Sequence, residues 1–154
     1  MDRAYRIALR LLAGVVLATV AASSVVAAGP PFPPPETGLR VYDNAGIFSP
    51  ATVASAKETI RGIEDRTGAQ VVVYTQAVED GRTTEEADGD ARALMDQWGV
   101  GRKGFDDGLV ILFDMYPGNE HGQVILYGGP GFRATFLDNG EKQKIFDEDM
   151  LPKL

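Results

Sequence analysis

Apolar residues at Val53, Ala56, Ile60 and Ile63 repeat with a 3.6-residue period and predict a helix between Ser49 and Gly68. Ser49 is a natural N-cap, Pro50 suits the first helical position, and Phe48 with Val53 can form a hydrophobic staple. Gly68 supplies the stop. Ala69 to Thr75 then carries Val71-Val72-Val73, a β-branched run that fits a strand covered on both faces. A second helix is expected from Thr83, whose cap pairs with Glu86 three residues on, with Ala87, Ala91, Leu94 and Trp98 on one stripe and Gly99 as its end. Leu109 to Phe113 and Gln123 to Tyr127 are further strands, separated by the turn signature Pro117-Gly118-Asn119, and Leu39 to Tyr42 is a short first strand. A third helix is expected from about Asp138 to the last residues.

The resulting order is strand, helix, strand, helix, strand, strand, helix. A helical crossover makes strands 69–75 and 109–113 parallel, whereas the turn at 117–122 makes strand 123–127 antiparallel to its neighbour. The expected fold is therefore α/β, a mixed, mostly parallel sheet covered by helices.

Residues 1–28 read as a signal peptide or N-terminal anchor. Arg3, Arg6 and Arg10 form a basic start, Leu11 to Ala28 carries no charge, and Val26-Ala27-Ala28 offers the small residues that a signal peptidase cuts after. The uncharged stretch is also at the lower limit for an uncleaved span. Residues 29–38, with Gly29-Pro30-Pro31-Phe32-Pro33-Pro34-Pro35, read as a solvated, semi-rigid linker, and residues 39–154 as the domain. The third helix reaches Leu154 with no cap, which reads as a domain truncated at its C-terminus.

Without the leader, 12 basic and 21 acidic residues leave a net charge of −9, which disfavours a nucleic-acid partner and suits a cation. The chain has no cysteine, so thiolate metal sites and cysteine nucleophiles are excluded, and its single histidine, His121, excludes a multi-histidine zinc site. Gly99-Val100-Gly101-Arg102-Lys103-Gly104 matches GxGxxG but follows a helix and precedes a strand, the reverse of a dinucleotide fingerprint, so no nucleotide cofactor is expected. Arg102 and Lys103 remain candidates to receive an anion. Asp88-Gly89-Asp90 reads as a solvated helix face, Asp114 as a strand end without a second aspartate beside it, and Asp147-Glu148-Asp149 as helix surface.

The antiparallel pairing of the last two strands brings Asp106-Asp107-Gly108 and Gly128-Gly129-Pro130-Gly131 to one edge of the sheet. Two carboxylates beside the main-chain carbonyls of Gly128, Gly129 and Gly131 suit a hard cation such as calcium. An ordinary turn of Asp and Gly before a strand is the alternative.

Four stretches in order resemble the TPM domain, or TPM-phosphatase, family: Val41-Tyr42-Asp43-Asn44-Ala45-Gly46-Ile47-Phe48-Ser49, Thr67 to Val73, Trp98 to Gly108, and Tyr127 to Gly131. The family includes exported bacterial proteins and thylakoid-lumen proteins linked to photosystem repair. The resemblance implies an αβα sandwich, export to the periplasm, exterior or membrane surface, and for some members bound calcium and weak acid phosphatase activity. It also implies Asp43, Asp106 and Asp107 as metal ligands. Two departures stand out: Asp107 replaces a usual asparagine, and Gly129-Pro130-Gly131 replaces a Tyr-Gly-Leu stretch. The function expected is an exported envelope module that binds a cation and an envelope or membrane protein partner, with weak metal-dependent phosphatase activity as the alternative. In that alternative the metal activates water and Arg102 or Lys103 orients the phosphate.

Overall fold

Alternation along four strands builds one sheet with two buried faces. The computed structural model describes residues 28–79 and 82–150; the expected leader, apart from Ala28, lies outside them. Strands β1 (Val41–Asp43), β2 (Gln70–Ala77), β3 (Gly108–Met115) and β4 (Gly122–Gly128) lie side by side in sequence order. β1 and β2 are parallel, as are β2 and β3, and β4 returns antiparallel to β3. The expected α/β topology is the one observed. Among the described residues no helix is long and apolar enough to cross a membrane.

Helix α1 (Pro50–Thr67) starts at Ser49, whose hydroxyl accepts the Thr52 N–H, and ends at Gly68 in the left-handed conformation. Its Val53, Ala56, Ile60 and Ile63 stripe packs on the face formed by Val71, Val73, Leu109 and Phe113. Helix α2 (Thr84–Trp98) has the capping box of Thr83 and Glu86 and covers the opposite face, where Ala87, Ala91 and Leu94 meet Val72, Tyr74, Val110 and Leu112. Successive residues of β2 and β3 thus alternate between two cores, the geometry that a buried β-branched run requires.

Two short elements differ from expectation. Pro130–Thr135 is a helix, α3, begun by Pro130 at its first position, where a glycine-rich loop was expected. The C-terminal helix begins at the Asp138 cap as expected, but α4 (Asn139–Ile145) gives way to a π-helical turn, Phe146–Met150, before the described residues end.

The proline-rich segment is not a solvated linker throughout its length. Phe32 is only 3% exposed and belongs to the α2-side core, with its ring edge-on to Tyr74 at 5.4 Å. Gln97 brackets the Phe32 backbone, accepting its N–H at 2.9 Å and donating to its carbonyl at 2.5 Å. Trp98 Nε1 donates to the Pro33 carbonyl at 2.9 Å. The physical reason is that polyproline backbone leaves its carbonyls free to accept, while burying one phenylalanine contributes about 2 kcal/mol. Replacing Phe32 by alanine should therefore cost about 3 kcal/mol of unfolding free energy in urea; a solvated linker would show no change.

Candidate functional site

The residues singled out from the sequence occupy two opposite edges of the sheet. At the edge where the parallel strands begin, Gly99 ends α2 and the chain runs through Val100–Asp107 into β3. Asp107 is 3% exposed, and its carboxylate takes the Arg102 main-chain N–H at 2.8 Å and the Arg102 Nε at 2.7 Å, with Nη2 closing the ion pair. Burial alone would raise its pKa, but the Arg102 guanidinium and N–H hold the carboxyl below the ordinary carboxylate range. The stability this ion pair contributes is present above the ordinary carboxylate pKa and is lost as pH falls through the lowered value.

Arg102 is correspondingly committed. Beyond Asp107 it donates to the Thr67 carbonyl at 3.3 Å and lies 4.5 Å over the Phe105 ring. Lys103 and Asp106 are exposed on the same loop, and Asp106 holds φ at 51°, left-handed backbone tolerated by aspartate.

The glycines of this edge are places of close approach. The Asp106 carbonyl accepts the N–H groups of Gly131 at 3.1 Å and Phe132 at 3.3 Å, and the Gly108 carbonyl accepts that of Gly129 at 2.9 Å. A β-carbon on Gly131 would collide with the Phe105 carbonyl oxygen, and one on Gly129 with the Asp106 carbonyl oxygen. One on Gly128 would stand 3.0 Å from the Phe132 ring. The two loops meet as the antiparallel pairing requires, but the Asp106 and Gly108 carbonyls are spent on the other loop rather than turned to a common centre.

Asp43 lies at the other edge, where the parallel strands end. One of its oxygens accepts the Ile47 N–H and the Thr75 hydroxyl, and the other accepts the Phe48 N–H, at 2.9 to 3.0 Å. The carboxylate thereby folds the Asn44–Phe48 loop over the strand ends and positions the start of α1. Register pairs Asp43 with Thr75 and Thr75 with Phe113, five residues along β3 from Gly108. At the strand rise those five residues alone put about 16 Å between Asp43 and the start of β3, and the Asp106–Asp107 loop lies farther still. The three aspartates are not one ligand set, and among the described residues no group of three or more histidines or acids could hold a metal ion.

With both edges in view, the motif positions find a common explanation in one family. The family model of the TPM domain matches residues 41–154, most of the chain. This protein belongs to the TPM domain family. No curated protein matches it.

The most concentrated buried polarity in this TPM domain was not expected. Asp114 is fully buried, with one oxygen 2.6 Å from Gln76 Nε2. Asp90 lies 3.4 Å from the same nitrogen and 3.5 Å from Arg82 Nη2. Desolvation raises the pKa of Asp90 and pushes Asp114 up to about 6. The Tyr116 hydroxyl donates to the Arg82 carbonyl at 2.9 Å and fixes the loop that carries the guanidinium. The sequence held a signal for this cluster. Asp90 shares the stripe of Ala87, Ala91 and Leu94, and Asp114 shares the inward alternation of Val110 and Leu112. Reading Asp90 as a solvated face and Asp114 as isolated missed both registers.

The separation of the aspartates makes a direct prediction. Calcium titrated calorimetrically should reveal no saturable site lost in each of Asp43→Ala, Asp106→Ala and Asp107→Ala; one site abolished by all three would contradict the placement.

Proposed function

We propose that this TPM domain is an exported interaction module of the cell envelope that takes an extended segment of an envelope or membrane protein along the outer edge of β4. The observation that carries the reading is an open groove of about 1080 Å³ beside that strand. Phe48, Phe113, Val124 and Phe146 give it apolar surface, and Arg133 and Lys142 give it charge.

β4 is an edge strand with β3 on one side only. Lys142 Nζ donates to the Leu126 carbonyl at 3.0 Å, so that carbonyl faces outward. By the two-residue period the N–H and C=O of Val124 face outward as well. Lys142 already occupies the Leu126 carbonyl, but the outward N–H and C=O of Val124 above an apolar trough are what a partner strand recognises, its backbone supplying affinity and alternate side chains specificity. The uncharged stretch and small residues before Gly29 support export.

The phosphatase alternative receives no comparable support. Its expected phosphate-orienting Arg102 is bound to Asp107, and Asp43 lies at the far edge from Asp106 and Asp107. No cation enters the interaction proposed here.

The test is site-specific photo-crosslinking of the full chain in intact exporting cells, with the probe at Gln123 or, as control, at Glu58 on α1. The expected result is one discrete envelope-protein adduct from position 123 and none from 58. Val124→Pro removes an outward N–H without breaking a bond to β3 and should abolish the adduct while the domain stays folded. An adduct that survives Val124→Pro, or forms equally from position 58, would overturn the proposal.

A further inference from the structure

Asp90 and Asp114 are short of positive charge, and a main-chain nitrogen beside them belongs to the residue that follows the leader. One Asp114 oxygen is buried without any partner, and so is the Nε of Arg82, among the described residues the one guanidinium acting on both acids. Gly29 is buried against this group, and its N–H donates to Gln76 Oε1 at 2.8 Å. The other end of that amide holds Asp114. Gly29 has φ at 83°, and a β-carbon there would stand 3.0 Å from Arg82 Nη2 and 3.4 Å from an Asp90 oxygen. Only glycine fits without strain. The residues directly before it are Val26-Ala27-Ala28.

We propose that signal peptidase cleavage between Ala28 and Gly29 turns the buried Gly29 nitrogen into an α-ammonium that completes this site as the missing counter-charge. The inference rests on the export part of the function proposed above. Cleavage consumes one water: the C–N bond of the amide breaks, Ala28 leaves as a carboxylate, and Gly29 keeps its nitrogen as an amine that is protonated at neutral pH. The amide offers Gln76 a single proton. The ammonium offers three, one for Gln76 Oε1 and two for the carboxylates around it. Uncompensated buried carboxylates are costly, and a paired cation removes much of that cost. Leader removal would thereby lock the Gly29–Phe32 strap onto the strand ends. The groups around the ammonium are Asp114 from β3, Gln76 from β2, Asp90 from α2 and Arg82 from the adjoining loop; Glu86 adds negative charge acting on Asp90, and the Tyr116 hydroxyl holds the Arg82 carbonyl.

The experiment expresses the full chain in an exporting bacterial host, reads the first residue of the purified protein by mass spectrometry, and follows acetylation of its α-amine by acetic anhydride. The expected first residue is Gly29. Its amine should react at least about tenfold more slowly in the native protein than in urea, with an apparent pKa above the ordinary 7.7–8.0 of an α-amine. Asp90→Asn, which preserves shape, should speed native labelling severalfold. A retained leader, or a different first residue, would overturn the processing step and with it the export reading. Gly29 as first residue with an amine equally reactive in native protein and in urea would overturn the buried ammonium alone.

Discussion

The backbone junction between Phe105–Gly108 and Gly129–Phe132 is the constraint on which the rest of this TPM domain depends. It fixes where β3 begins, where β4 ends and where α3 starts, because carbonyls of the first loop receive the N–H groups of the second. Such contact leaves no room for β-carbons at Gly129 and Gly131. Asp107 secures the first loop from inside by gathering the Arg102 backbone and side chain onto one buried carboxylate. A charge this deeply buried is tolerable only with that degree of pairing. The aspartates and glycines that look like a ligand set in the sequence are thus the parts of a junction between two loops.

The opposite edge follows a different logic. Asp43 spends its acceptors on nearby N–H groups and a strand hydroxyl, turning the chain into α1. Next to it, Gln76, Asp90 and Asp114 bury polar groups with fewer partners than they could use. The strap from Gly29 to Pro33 starts on this side at Gln76 and runs to the last turn of α2, held by Phe32 in the core and by hydrogen bonds to Gln97 and Trp98. One edge is therefore closed by its own backbone and ion-pair contacts, while the other holds charge that an additional cation would balance.

Most of the fold was legible because its signals are local. Ser49-Pro50, the Thr83–Glu86 box, Gly68 and Gly99 each mark a helix end through backbone chemistry close in sequence. The strand directions followed from the helical crossover and the turn at 117–122. The misses were long-range. Phe32 contacts residues more than forty positions away, and nothing in a run of prolines distinguishes a docked strap from a free one. α3 was hidden because Gly128–Gly131 reads as loop, although Pro130 after Gly129 is a legitimate helix start. The candidate aspartates lie at strand ends, but Asp43 closes a parallel strand whereas Asp106 and Asp107 precede one. That difference alone sends them to opposite edges.

The central claim is that the glycine-rich motifs are there for backbone contact. Urea unfolding of Gly131→Ala, with Gly89→Ala as the matched control, tests it most directly. Gly89 is exposed within α2 with open space around it, so alanine there should stabilise by about 0.5–1 kcal/mol. Alanine at Gly131 should destabilise by about 3 kcal/mol or more, since the loops must separate to admit it. A Gly131→Ala protein within about 0.5 kcal/mol of the parent would contradict the account and return these glycines to the role of an open loop.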